Sequence, residues 1–380
     1  MKLFRKIIFW CHLVTGVSIA VVVFVMAVTG VLLTYERQVV AWADTHGLDA
    51  GPVDTSAQRL SIDELLVRMT DAASGAPSTI TLHHSADAPV AAAFGREGTA
   101  YYSAYTGEKL GETDSGVRSF FRSVEDWHRW LGAGGDNRKL ARAATGASNL
   151  AFLFIVVSGI YLWWPRNWGR KALRHVTFLQ RGLSPKARDF NWHNVIGLWS
   201  FLPLFFIVLS GVVISYRWAG ELVYVIAGDT PPGGRAEGPR DGPVTMSALP
   251  PTPASLSLAQ LEKVAADRVP GWNTIAIRIP AETDSTARFT IDAGTGGQPH
   301  KRSTLTLDRF TGKEVTFESF ADASPGRRAR SVLRFAHTGE VLGLFGQTIA
   351  GLVSLGTAFL VYTGLSLSLR RLRSWLKRRR

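Results

Sequence analysis

The sequence predicts an α-helical membrane protein with four transmembrane helices, both chain ends on one side of the bilayer, and two small α+β modules on the other. The whole reads as an internal tandem duplication. Three observations carry this. Four apolar runs reach membrane length, basic residues gather at one set of their ends, and the second half of the chain repeats motifs of the first.

A bilayer crossing takes about 20 consecutive apolar residues. The runs lie at 8–34, 147–164, 195–216 and 343–366. Lys2, Arg5 and Lys6 precede the first, as in a secretory signal. Its apolar stretch is too long for a signal core and no small-x-small cleavage site follows, so it is expected to be a retained helix.

Charge orients the helices. Residues 1–7, 165–191 and 367–380 hold 17 Lys and Arg against one acid, Asp189, whereas the rest of the chain holds 26 basic and 29 acidic residues. The net charge of +13 is therefore a topology signal and not the footprint of a nucleic-acid binder. By the positive-inside rule both termini and the loop 165–191 are cytoplasmic. The same basic tail also suits anionic lipid headgroups.

The repeat is explicit. His12-x-x-x-Gly16 is followed by Thr29-Gly30-Val31-Leu32-Leu33-Thr34-Tyr35, and His193-x-x-x-Gly197 by Ser210-Gly211-Val212-Val213-Ile214-Ser215-Tyr216. Each histidine stands 18 residues before the second glycine and 23 before the tyrosine. Ser158-Gly159 and Thr363-Gly364 echo the same pair in the other two runs.

The two long segments between runs resemble each other as well. Ser61-Ile62-Asp63-Glu64 and Ser257-Leu258-Ala259-Gln260 are capping boxes, in which the serine bonds the backbone of the third helical residue and that residue bonds back. Amphipathic helices are expected at about 61–74 and 257–268. Strands follow at Ser78–Ser85, Val90–Phe94 and Ala100–Tyr105, and again at Trp272–Ile279, Ala287–Ile291 and Ser303–Phe310. Each last strand runs into a Thr-Gly turn, Thr106-Gly107 and Thr311-Gly312. A Gly- and Pro-rich linker, 228–254, precedes the second module.

The expected boundaries are 1–35 for the first transmembrane helix, 36–118 for the first module, and 119–165 for a histidine-bearing helix with the second transmembrane helix. The basic loop 166–191, the third transmembrane helix 192–216, and linker and second module 217–328 follow. A histidine-bearing segment with the fourth transmembrane helix occupies 329–368, and the basic tail 369–380.

Each module hands the chain to a segment with a histidine, His128 in Phe120–Gly132 and His337 in Val332–Gly339. Topology places His12 and His193 at the cytoplasmic ends and His128 and His337 at the outer ends. A helix of about 22 residues is about 33 Å long, so the two pairs cannot share one ion. Within a pair, equivalent helices can present imidazoles to one another, which suits bis-histidine ligation of haem iron in a bundle. Gly16 and Gly197, one turn from His12 and His193, would leave space for a flat macrocycle. Arg122, Arg129 and Arg334 stand where propionates could be met.

A proton relay or divalent-metal transporter is the rival reading. Such proteins place carboxylates at mid-membrane, and no Asp, Glu, Lys or Arg lies inside the four runs. The remaining residues are less informative. Cys11 is the one cysteine, so no intramolecular disulfide can form. His83 and His84 point to opposite faces of a strand, and His46, His175 and His300 are expected in loops. Trp163, Trp164, Trp168, Trp192, Trp199 and Trp375 read as interfacial anchors. No nucleophile elbow, phosphate loop, nicotinamide or flavin site appears, so a reductant must come from another protein.

Trp127-His128-Arg129-Trp130-Leu131-Gly132, Tyr161-Leu162-Trp163-Trp164-Pro165, Trp192-His193-Asn194-Val195-Ile196-Gly197-Leu198-Trp199, and His337-Thr338-Gly339 with Leu342-Gly343 resemble the PepSY-associated transmembrane helix family of bacterial inner-membrane, iron-regulated proteins. The resemblance spans nearly the whole chain. It implies periplasmic PepSY modules and, in some members, two b-type haems that pass electrons to ferric siderophores. His12, His128, His193 and His337 each fall on a family motif. The last copy departs, reading His-Thr-Gly where the second reads His-Arg-Trp-Leu-Gly. The expectation is thus an electron wire from a cytoplasmic donor protein through two haems to a ferric chelate in the periplasm. It makes the chain a ferric-siderophore reductase-like oxidoreductase. A membrane-anchored PepSY regulator without enzymatic activity is the alternative.

Overall fold

The structure, a computed structural model, describes residues 2–52, 57–73, 75–95, 98–165, 168–232 and 255–379. Arg166 and most of the linker 228–254 lie outside the described residues. In chain order the helices are α1 (Lys2–Leu33), α2 (Glu36–Thr45), α3 (Ile62–Ala72), α4 (Ser115–Trp130), α5 (Asn137–Trp163) and α6 (Arg170–Thr177). Then come α7 (Pro185–Ser215), α8 (Arg217–Ile226), α9 (Leu258–Arg268), α10 (Pro325–His337) and α11 (Gly343–Lys377). The strands are β1 (Thr79–His83), β2 (Val90–Ala93), β3 (Thr99–Tyr102), β4 (Lys109–Glu112), β5 (Thr274–Arg278), β6 (Thr286–Asp292), β7 (Arg302–Asp308) and β8 (Glu314–Glu318). Two compact units result: Met1–Glu36, Arg118–Val223 and Ala329–Arg380 form one, Arg37–Val117 and Tyr224–Arg328 the other.

The first unit is a helix bundle. Among the described residues, four helices, α1, α5, α7 and α11, are long and apolar enough to cross a membrane. Each outruns its apolar run, because polar and basic turns at the ends continue the helix. Pro185 starts α7 at a position where its missing N–H costs nothing. Helix α1 packs on α5 and α11, and α7 packs on the same two helices. Thus α1 and α7 stand on one diagonal of the bundle. Val156, Leu204, Val208 and Val353 fill the interior, flanked by Phe152, Phe201 and Phe205. Large apolar side chains such as Val21, Leu202 and Phe345 remain exposed outside, the surface that lipid requires.

Polar pins fix the bundle ends. Arg5 donates from Nη1 to the Trp164 carbonyl at 3.3 Å, a cation at the C-terminus of α5 where carbonyls lack partners. Asp189 is fully buried. It accepts from Ser366 at 2.7 Å and Arg188 at 3.0 Å, and lies 3.4 Å from Arg370, so the one acid of the basic segments is balanced in place. Asn191 donates to the His175 and Phe178 carbonyls at 2.6 and 3.1 Å, tying α6 to α7.

The second unit is built on one eight-stranded antiparallel sheet, ordered β4-β3-β2-β1-β5-β6-β7-β8. Each half is a meander, and the halves join through their first strands. There Thr79 pairs with Arg278, Thr81 with Ala276 and His83 with Thr274, a register symmetric about the Thr81/Ala276 pair. A bulge interrupts β3/β4 after Tyr101 and β7/β8 after Thr306, at matching places. Alternate residues Ile275, Ile277, Phe289, Ile291, Leu305 and Leu307 face inward with Leu65, Met69 and Leu261 of α3 and α9. Both capping boxes form, on Ser61 and Ser257. The halves differ at Asp63, which accepts from the Leu258 and Ala259 N–H groups at 2.9 and 2.8 Å and so caps the helix of the other half.

Both Thr-Gly turns form as expected, with φ of +71° at Gly107 and +69° at Gly312. From sequence the last strand of each module ends there; in the structure a fourth strand, β4 or β8, follows. These are short edge strands of four and five residues bearing Lys109, Glu112, Glu314 and Glu318, charges that blunt an open sheet edge. Helices α2 and α8 were also not expected. They follow the spans α1 and α7 with almost no turn residues to mark a new element.

Candidate functional site

All four motif histidines lie in the helix bundle, and each is half-buried. His12 projects from the first turns of α1, and its Nδ1 lies 2.8 Å from Ser158 Oγ on α5. His128, near the end of α4, sets Nδ1 2.9 Å from Thr29 Oγ1 on α1. His193, on α7, sets Nδ1 3.0 Å from Thr363 Oγ1 on α11. His337, the last residue of α10, has Nδ1 3.2 Å from Ser210 Oγ and 2.9 Å from the Ile207 carbonyl, both on α7. The four Ser/Thr-Gly pairs of the sequence are therefore the four landing points of the four imidazoles.

The direction of these bonds follows from the hydroxyl protons. Thr29 donates to the Val25 carbonyl at 2.7 Å, Thr363 to Phe359 at 2.8 Å, Ser210 to Ile207 at 2.8 Å and Ser158 to Ile155 at 3.2 Å. This is the usual back-bond of a hydroxyl inside a helix. A hydroxyl has one proton; where that proton goes to the carbonyl, the oxygen accepts from the imidazole and Nδ1 carries the hydrogen. At His337 the Ile207 carbonyl, which can only accept, calls for a hydrogen on Nδ1 in its own right.

The rings lie over the glycines of the same pairs. A Cβ at Gly30, Gly159 or Gly364 would stand 3.7, 3.5 or 3.4 Å from Cε1 of His128, His12 or His193. Gly211 differs: a Cβ there would meet the Asn149 amide at 2.8 Å, which is buried and donates to the Val208 carbonyl at 3.1 Å.

His128 and His337 face one another with ring centres 6.3 Å apart and planes inclined by 67°. His12 and His193 sit on the diagonal helices α1 and α7, with His193 within electrostatic reach of His12. From His12 to Thr29, and from His193 to Ser210, is 17 residues, about 25 Å of helix. The pairs thus occupy opposite ends of the bundle.

Two turns hold the second pair in place. After His128, helix α4 stops with Leu131 at φ +52° and Gly132 at φ +72°. The Gly132 N–H reaches back to the Asp126 carbonyl at 3.2 Å, and that of Leu131 to Trp127 at 3.1 Å, so carbonyls at the helix end find partners in the turn itself. After His337, Gly339 at φ +77° lies directly on the backbone of Gly346.

Other expected residues have different settings. Gly16 and Gly197 turn toward the neighbouring helices, where a Cβ would stand 3.7 Å from Ile155 and 3.7 Å from Leu360. Arg129 pairs with Glu125 at 2.6 Å and lies over the Trp130 ring, and Arg334 lies 6.0 Å from the Phe335 ring. Trp163 and Trp199 donate from Nε1 to the Val176 and Thr177 carbonyls at 3.1 and 2.9 Å, so these two anchor the α6 loop. His46 stacks on Trp42, and His84 meets Trp272 edge-on. Among the described residues, no group of three or more His, Cys, Asp or Glu is arranged around a bare metal ion.

From sequence the histidines stood out but their partners did not. Thr29, Ser158, Ser210 and Thr363 carried a signal, the fourfold recurrence of hydroxyl-then-glycine. Only the packing of one helix on the next shows which imidazole each receives. No curated protein matches the chain. The family model described as the PepSY-associated TM region matches residues 9–371, nearly the full length. The chain therefore belongs to the PepSY-associated transmembrane family.

Proposed function

We propose that this protein carries electrons across the bacterial inner membrane through two b-type haems, one ligated by His12 and His193 and the other by His128 and His337. The facing of His128 and His337 is the observation that carries the reading. Two imidazoles that would hold one iron between them must face each other across a gap that leaves room for the ion. The observed separation is 6.3 Å. A pair of histidines is too few to hold a bare ion, but it suffices for haem, whose macrocycle supplies the other four ligands.

The chain's own residues do the positioning. Ser158, Thr29, Thr363 and Ser210 hold the Nδ1–H groups, which leaves Nε2 of each histidine as the donor atom. Gly16 and Gly197, one turn from the first pair, pack against Ile155 and Leu360. Each pair takes one histidine from each half of the chain, so ligation would clamp the halves together at both ends of the bundle. Bound there, haem supplies one-electron chemistry.

The basic residues Arg170, Arg181 and Lys186 and the basic tail support cytoplasmic termini, the side from which a donor protein would supply electrons. The acceptor on the periplasmic side is a ferric chelate. Hard oxygen ligands hold iron(III) far better than iron(II), so one electron loosens the metal without breaking the chelator. The protein would then act as an oxidoreductase in iron uptake.

An absorption spectrum of the purified protein, expressed with added haem, tests this. The expected result is a low-spin b-type spectrum with about two haems per chain, falling by half in His193→Ala. A colourless protein overturns the reading and leaves a membrane-anchored PepSY regulator.

A further inference from the structure

We infer that the four Ser/Thr-Gly pairs are positioning sites that set the electron-donating strength of the histidines, and that Ser210 is the weakest of the four. The inference rests on the haem reading above.

Each imidazole is held by a helix other than its own, and the exchange is reciprocal. In the first half α1 offers His12 to Ser158 and receives His128 on Thr29. In the second, α7 offers His193 to Thr363 and receives His337 on Ser210. The hydrogen bonds therefore run within a half, whereas the facing pairs run between halves. The acceptor is a hydroxyl oxygen whose own proton is already committed to a carbonyl one turn back.

An Nδ1–H that donates to an acceptor pushes electron density onto the ring and raises the basicity of Nε2. A more basic ligand favours ferric over ferrous iron and lowers the potential. Removing the acceptor must move the potential upward, and only at the haem whose ligand was held. The size of the shift depends on what else accepts the proton. His337 has the Ile207 carbonyl at 2.9 Å, nearer than Ser210 Oγ at 3.2 Å. For His193 and His128 the hydroxyl, at 3.0 and 2.9 Å, is the acceptor in hydrogen-bonding geometry, with the Leu360 and Met26 carbonyls also within reach, and for His12 it is the Ser158 hydroxyl, at 2.8 Å.

Redox titration of the full-length protein tests this with Thr363→Val, Ser158→Ala, Thr29→Val and Ser210→Ala. Thr363→Val and Ser158→Ala are expected to raise one midpoint potential, that of the haem lost in His193→Ala. Thr29→Val raises the other, Ser210→Ala moves it least, and Thr363→Ser restores the original value. Equal shifts at both haems, or none, overturn the inference while two haems remain bound.

Histidine-selective 15N NMR of the haem-free chain gives a second reading. The wild type is expected to show these four imidazoles as the Nδ1–H tautomer, with the His193 signal alone perturbed by Thr363→Val. Nε2–H tautomers overturn the inference even if haem binds. A wild type without haem overturns the function reading instead, and the tautomers still decide whether the hydroxyls hold the rings.

Discussion

The two histidine pairs are built differently. His12 and His193 sit inside long continuous helices, α1 and α7, and the helices alone fix their direction. His128 and His337 sit at the last turns of short helices, α4 and α10, and each is followed by residues at positive φ. Their direction depends on how the chain leaves the helix. The first pair is thus as rigid as the bundle, and the second is only as rigid as two turns. A site on a turn can be lost without unfolding the helices it serves, and that difference can be broken experimentally.

Gly339→Ala should have the largest effect. Its φ is +77°, and a Cβ would press on the Gly346 carbonyl, which is backbone and cannot rotate aside. The positive φ alone costs about 1–2 kcal/mol for a residue with a Cβ, and the contact adds to it. The expected outcome is loss of the haem bound by His128 and His337 with retention of the other, read as half the haem content. Retention of both would show that α10 can end in another way.

Gly132→Ala should act in the same direction but less. Its φ is +72°, and a Cβ would meet the Trp127 ring at 2.8 Å. Trp127 is a half-exposed side chain at 52% and can swing away, so the cost stays near the backbone term of about 1–2 kcal/mol. Thermal unfolding in detergent should show a lowered midpoint, with haem occupancy of the second pair reduced but not abolished. If Gly132→Ala is the more damaging of the two, the ranking of turns is wrong.

The contrast also marks what was legible in the sequence. Where structure is local, residues declared it. Ser61 with Glu64, and Ser257 with Gln260, read directly as capping boxes, and Thr106-Gly107 and Thr311-Gly312 as turns. The membrane runs read from composition, although their helices extend past the apolar residues at Asn137, Pro185 and Lys377. What depends on which element meets which was hidden. Nothing in Thr79–His83 or Thr274–Arg278 says that these strands pair with each other and fuse two modules into one sheet, since each has a free edge until the other arrives. Asp63 reads as an ordinary first-turn acid and turns out to cap α9. The hydroxyls of Thr29 and Thr363 look like common small residues of membrane helices until an imidazole from another helix is placed on them.

The smallest effect is expected at the first pair, from the double substitution Gly16→Ala, Gly197→Ala. Both added methyls would stand 3.7 Å from the nearest side-chain atoms, Ile155 and Leu360, which is ordinary van der Waals contact. Neither glycine has a positive φ, so alanine suits the backbone and stands to gain up to about 1 kcal/mol of helix propensity at each site. The melting temperature of the haem-free chain should hold or rise, and the absorption spectrum should stay that of the wild type. Loss of one haem from a double variant that melts no lower would carry a different message. It would place the macrocycle against the faces of α1 and α7 that these glycines leave low, and the first pair would then be held by shape as much as by its hydroxyls.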